Sequence, residues 1–183
     1  MDTILIIGIV VAVLILFIIL LYNGLIRLRN QVRNSFAQID VQLKRRNDLI
    51  PNLVESVKGY MKHEKGVLTE ITKARSSLMN AQGVEKKAAA SNQLTGALKT
   101  LFAVSENYPQ LKANENFLQL QEEITGTENK ISYARQHYND IVMVFNTKIE
   151  VFPNNIFANM LHFTQEKQFE AVAEERKNVK VQF

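Results

Sequence analysis

Residues Ile4 to Tyr22 form an unbroken run of nineteen residues without a charged side chain, and no other feature restricts the possible folds as much. A hydrocarbon core about 30 Å thick requires roughly 20 apolar residues in a helix, so this run is expected to span a membrane. A cleaved secretory signal would instead carry a basic leading region, a shorter apolar run and small residues at a cleavage site. Here Met1-Asp2-Thr3 leads and Leu20-Leu21-Tyr22 closes, which favours an uncleaved anchor. A buried core helix would show polar residues along one side, and this run has none. With the anchor assigned to 1–22, residues 23–163 are left for a helical bundle and 164–183 for a polar tail.

The flanks give the anchor a direction. Arg27, Arg29 and Arg33 follow the run and no Lys or Arg precedes it, so the excess of basic residues predicts a cytoplasmic C-terminal domain and an outward N-terminus. The expected location is the cell inner membrane, crossed once. Residues 23–100 carry a net charge of +8 and residues 101–183 a net charge of −3. The basic excess lies beside the span and has no recognition helix or interleaved aromatics, which argues against nucleic acid. Attraction of Arg27, Arg29 and Arg33 to anionic lipid headgroups is the simpler account.

Beyond the span the fold class reads as all-α. Apolar residues recur at three- and four-residue intervals through Leu25, Leu28, Val32, Phe36, Ile39, Leu43, Ile50, Leu53, Val57, Tyr60, Leu68, Ile71 and Leu78, the period of a helix seam. Pro51 should kink this helix, yet the seam stays in phase across it, so one kinked helix is expected from Leu25 to Met79. Asn80-Ala81-Gln82-Gly83 reads as a turn, and a second helix follows over 84–106 with Leu94, Leu98, Leu101 and Phe102 on its apolar side. Tyr108-Pro109 stops it. Asn114 is placed to cap a third helix with the seam Phe117, Leu120, Ile124, Ile131, Ala134, Tyr138, Ile141, Val142, Phe145 and Ile149. Phe152-Pro153 should end it, and Asn154-Asn155 can start a short fourth helix through Ile156, Phe157, Met160 and Leu161. Three long helices and a short one joined by short loops imply an antiparallel bundle behind the transmembrane helix. Asn139 and Asn146 read as polar residues that fix register within it.

Catalytic chemistry finds little support. The absence of Cys removes thiolate ligands, cysteine nucleophiles and disulfides. None of His63, His137 and His162 follows a Glu by three residues, as a di-iron bundle would require, and no serine sits in a nucleophile elbow. No catalytic, cofactor or metal residue is assigned, and the chain is not read as an enzyme. The stretch from Gln42 to Glu55 is richer. Lys44, Arg45 and Arg46 could meet an acidic partner or headgroup beside the kink, with Asp48, Pro51 and Asn52 completing a polar motif. Alternatively these charges pair with Glu122, Glu123 or Glu128 on the third helix, while Asn52 satisfies backbone groups released by Pro51.

These words also carry a resemblance. Gln38-Ile39-Asp40-Val41-Gln42-Leu43-Lys44-Arg45-Arg46 with Asp48-Leu49-Ile50-Pro51-Asn52-Leu53-Val54, Lys58-Gly59-Tyr60 with His63-Glu64, Tyr108-Pro109 followed by Leu111-Lys112-Ala113-Asn114, and Ala134-Arg135, Tyr138-Asn139, Asn146 and Phe152-Pro153 together resemble the LemA family of bacterial proteins. One departure is a Trp common near Phe36, which this chain lacks. The resemblance implies a membrane-anchored antiparallel bundle without established catalytic activity or cofactor, and similar relatives that take part in forming magnetosome membranes hint at membrane organisation. Two functions are expected to compete. One is a noncatalytic scaffold that self-associates on the lipid bilayer, its partner being itself. The other is an adaptor for a neighbouring membrane protein, such as a protease, that binds through the acidic second half.

Overall fold

The computed structural model describes residues 2–169 and is helical in every regular element among them. Helix α1 (Asp2–Lys58) is continuous through the apolar run and into the bundle, about 85 Å at 1.5 Å per residue. Its first part has a mean hydropathy of 3.7 over an eighteen-residue window and none of that window is buried by protein. From Leu25 onward the helix acquires a buried seam of Leu25, Val32, Ile39, Leu43, Ile50, Leu53 and Val57.

The helix passes through Pro51 as expected, but it does not reach Met79. It ends at Lys58, and the chain turns through Gly59-Tyr60 before α2 (Lys65–Asn80). The amide of Met61 donates to Val57 O at 2.9 Å, and Met61 is fully buried while Tyr60, assigned to the seam from its spacing, is exposed. Gly59, the first residue past the helix, is a poor helix former, and Lys62-His63-Glu64 after it offer no apolar residue to continue the seam. Helix α2 doubles back along α1, burying Ile71, Ala74 and Leu78.

Gly83 takes φ +79°, a left-handed conformation open to glycine at little cost, and the chain reverses into α3 (Val84–Ser105). Leu94, Leu98 and Leu101 are buried as the spacing predicts. The short α4 (Pro109–Lys112) has proline at its first position, where a missing N–H costs nothing. Asn114 then caps α5 (Glu115–Glu150), its Oδ1 accepting from the Phe117 amide at 3.0 Å, as Asn at an N-cap should.

Helix α5 runs antiparallel to α1. Phe36 meets Tyr138 with ring centroids 5.6 Å apart, and Arg46 meets Glu128, so ten residues forward on one helix match ten back on the other. Buried Phe117, Ile124, Ile131, Tyr138 and Phe145 recur every seven residues on α5, against Leu25, Val32, Ile39 and Leu53 on α1, the repeat that keeps a seam facing its partner. Helices α2 and α3 form the second layer over this pair. The chain then closes with α6 (Asn154–Met160) and an extended segment to Phe169.

Candidate membrane interface

The missing member of the α1 seven-residue series is Arg46. Its side chain is fully buried, which a guanidinium tolerates only with partners around it. Nη1 donates to Glu128 Oε1 and to Thr95 Oγ1 at 2.9 Å. Nη2 donates to Ser91 Oγ at 3.0 Å and to Ser91 O at 3.3 Å. Glu128 is held in turn by the Thr95 hydroxyl, which donates to Oε2 at 3.0 Å. Arg46 thus ties α1 to both α3 and α5. Of the two roles open to this residue in the sequence, pairing with the third long helix is the one realised, and Glu128 is the acid that serves.

Its neighbours part company with it. Lys44, Arg45, Asp48, Pro51 and Asn52 are all exposed. Asn52 does not satisfy the backbone freed by the proline. Pro51 has no N–H for the carbonyl four residues earlier, and that carbonyl, Asn47 O, accepts instead from Arg75 Nε of α2 at 2.9 Å. The proline therefore creates an acceptor inside a helix, and the returning hairpin helix fills it.

Asn139 and Asn146 also act otherwise than expected. Each uses its side-chain amide as a second backbone. Asn146 Oδ1 accepts from the Glu166 amide at 2.9 Å and its Nδ2 donates to Glu166 O at 2.9 Å. Asn139 repeats this on Phe169, at 2.8 and 3.1 Å. Seven helical residues rise about 10.5 Å and three extended residues about 10 Å, so two turns of α5 match the 166–169 interval. Between them the Tyr138 hydroxyl donates to Lys167 O at 2.7 Å, and burial, with the nearby Glu166 carboxylate, pushes that phenol up to about 12. Phe169 is fully buried, with the Arg135 guanidinium 5.0 Å above its ring. What sequence alone offered as polar register residues inside the bundle is a clamp on a later segment, and only the seven-residue spacing of two asparagines on one face could have suggested it.

Motif words far apart in sequence meet at the end of the bundle remote from the apolar run. The Tyr108 hydroxyl donates to Glu64 Oε1 at 3.2 Å, and Asn114 Nδ2 donates to Tyr60 Oη at 3.2 Å. Desolvation first, then the Glu64 carboxylate, raises the Tyr108 phenol above its ordinary value. His63, His137 and His162 are exposed. Among the described residues no group of three or more His, Asp or Glu is placed to hold a metal ion.

At the opposite end the bundle meets the apolar run. Arg27 and Arg33 are exposed, whereas Arg29 is half-buried with its guanidinium 5.1 Å from the centre of the Phe163 ring. Phe163 also meets Tyr22 at 6.3 Å and Phe145 at 6.4 Å. Helix α6 lies beside the run itself, with Phe157 6.2 Å from Phe17. It buries Asn154 and Ala158, while Ile156, Met160 and Leu161 are exposed, together with Val151 and Phe152.

A family model described as the LemA family matches residues 35–183. Protein LemA of Metamycoplasma hominis is 34% identical over 162 residues, which cover 86% of this chain and 72% of that protein. Magnetosome proteins MamQ 1 and MamQ 2 of Paramagnetospirillum magneticum are each 22% identical over 175 residues, covering 81% of this chain and 64% of their own length. This chain therefore spans just under two thirds of the magnetosome proteins it matches.

Proposed function

The chain belongs to the LemA family, and on that premise we propose that it is a noncatalytic, single-pass scaffold that self-associates and organises the membrane that anchors it. The observation that carries this reading is the continuity of α1. One helix supplies both the exposed apolar run and the central seam of the bundle, so the bundle rides on a rigid stalk and its angle to the bilayer is set by packing. A flexible linker would decouple the two. The basic residues after the run support an inner-membrane location with the bundle in the cytoplasm, and Arg27 and Arg33 are free to meet anionic headgroups.

Self-association has a candidate surface. The α1–α5 pair is covered by α2 and α3 on one side, and its other side exposes Val41 at 63% and Tyr133 at 73%. A shallow groove between them is lined by Gln38, Gln42, Ala134 and His137. Large apolar side chains over a groove, flanked by amides, suit a second copy. Light scattering on the detergent-extracted full chain tests this: a mass of two or more copies is expected, reduced by Val41→Lys with Tyr133→Lys. A monomer across a range of concentrations and mild detergents would remove the scaffold.

The adaptor reading is favoured by a different observation. At the remote end, Val54, Met61 and Leu68 floor a groove edged by Lys58, Lys62, Lys65 and Lys73. This would receive an acidic, partly apolar segment of a neighbouring membrane protein. The docking element is then basic and lies at the α1–α2 hairpin, in place of the acidic second half of the sequence. A stoichiometric second protein that co-purifies in mild detergent and is lost on Lys62→Glu with Lys65→Glu would favour it.

A further inference from the structure

We propose that α6 and the turn before it are embedded in the outer acyl layer of a single leaflet, as a shallow wedge beside the transmembrane helix. The proposal rests on the anchor reading and adds to it a second, non-spanning membrane element. Three observations converge. Ile156 and Met160 are 56 and 62% exposed and lie four residues apart in α6, which puts them on one face, and Phe152 in the preceding turn is 80% exposed. That face points away from the protein, since Asn154 and Ala158 are the buried residues of α6.

The second observation is depth. Phe157 touches Phe17, five residues inside the end of the apolar run at Tyr22. Five helical residues rise about 7.5 Å, and amphipathic interfacial helices bury their apolar face about 5–10 Å into the headgroup–acyl boundary. If Ile4 to Tyr22 lies in the bilayer, α6 is already at that depth, and lipid is what surrounds it there.

Third, residues 151–163 contain no Asp, Glu, Lys or Arg. Water-facing sides elsewhere in the bundle carry them freely, as with Lys65, Glu70 and Lys73 on α2 or Glu122, Lys130 and Asp140 on α5. An outward side that carries Ile156 and Met160 with the neutral Asn159 beside them, and no charge, suits the headgroup–acyl boundary better than water. Because the wedge enters from the bundle side and does not cross, it occupies area in one leaflet only. That asymmetry would give each copy an intrinsic preference for curved membrane.

The chain contains no Trp, so single tryptophans report depth without background. Full-length Phe152→Trp and Met160→Trp, with Leu14→Trp as a span control and Leu118→Trp as a bundle control, are reconstituted in phosphatidylethanolamine–phosphatidylglycerol vesicles containing lipids brominated high on the acyl chain. All four positions are exposed, so none of the changes disturbs the core, and circular dichroism checks the helix content. Expected are blue-shifted emission and strong quenching at 152 and 160, with neither at 118. Quenching at 152 and 160 no greater than at 118, with position 14 buried in lipid when the bromine is moved deeper, would overturn the wedge and leave the anchor standing. Failure of deep bromine to quench position 14 would overturn the anchor and the wedge with it.

Discussion

The two ends of the bundle dispose of difficult side chains in opposite ways. Away from the apolar run, charge is taken inside and matched: Arg46 is fully buried among Ser91, Thr95 and Glu128, and loops are tied by Tyr108 to Glu64 and Asn114 to Tyr60. Beside the run, apolar surface is pushed outside and left unmatched, from Val151 and Phe152 to Met160 and Leu161. The same rule governs both. A group is tolerated where its surroundings satisfy it, so buried charge needs protein partners and exposed hydrocarbon needs a solvent that is not water. The contrast locates the change of solvent along the long axis of one molecule.

The largest effect should come from the end that internalises charge. Arg46→Met removes the cation and strands Glu128 and Ser91, and breaking a buried pair typically costs about 3–5 kcal/mol. Because Glu128 keeps 26% exposure, the loss is expected near the lower figure. Arg46→Met with Glu128→Met should recover much of it, and chemical denaturation of the pair of variants measures both. If the single change proves neutral, the buried charge is not what holds this end together.

Next comes the clamp of residues 166–169 on α5. Asn146→Ala and Asn139→Ala each delete two hydrogen bonds to backbone, with an expected cost of about 1–2 kcal/mol to docking of residues 164–169. Hydrogen exchange at the Glu166 and Phe169 amides should accelerate roughly tenfold or more, with the amides of α3 unchanged. The folded state should also weaken with alkali. The Tyr138 phenol, ordinarily near 10 in an unfolded chain, is pushed up to about 12 in the bundle, by burial first and the Glu166 carboxylate second, so the contribution of the neutral phenol is complete below pH 10. It falls away as pH rises from 10 towards 12. Absorbance titration should show Tyr138 late, near 12, with Tyr108 also raised, and the Tyr138 component moved earlier in Asn146→Ala; coincident titration of all tyrosines would contradict the buried placement.

A smaller effect is expected at the proline. Arg75→Ala should cost about 1 kcal/mol by orphaning Asn47 O, and nothing in a Pro51→Ala background, where the new amide at 51 serves that carbonyl. The double-mutant cycle isolates the coupling. Equal losses in both backgrounds would mean that Arg75 acts through some other contact. Smallest of all, Phe152→Ser and Met160→Ser should shift denaturation of the detergent-extracted protein by less than about 0.5 kcal/mol. A loss comparable to Arg46→Met would show that this face is packed against protein, and would erase the contrast between the ends.

The sequence was most legible where structure is local. The apolar run, the Asn114 cap, the Gly83 turn and the seam of α5 depend on spacing within a few turns, and each stands where the pattern puts it. Legibility failed where a partner lies far along the chain. Arg46 reads as part of a basic cluster until its phase with Leu25, Val32, Ile39 and Leu53 is followed, and its acid is eighty-two residues away. Arg75 answers a carbonyl on another helix, and no residue near Pro51 announces it. Helix α6 starts where the sequence places it, but periodicity locates an apolar face without naming the medium it meets, and Ile156 and Met160 would share a face against a core as against a lipid.

The paired asparagines have a mechanical corollary. Helix α5 descends towards the apolar run and the segment from Glu166 to Phe169 climbs back along it, so tension applied to the chain beyond Phe169, directed along α5 and away from the apolar run, pulls parallel to the helix axis. The four amide bonds of Asn139 and Asn146 and the Tyr138 bond are then loaded in shear and must rupture together. A pull outward from the helix would peel them one after another. The attachment is accordingly stiff along the α5 axis and weak across it, and single-molecule pulling in the two directions should register a higher rupture force for the axial one.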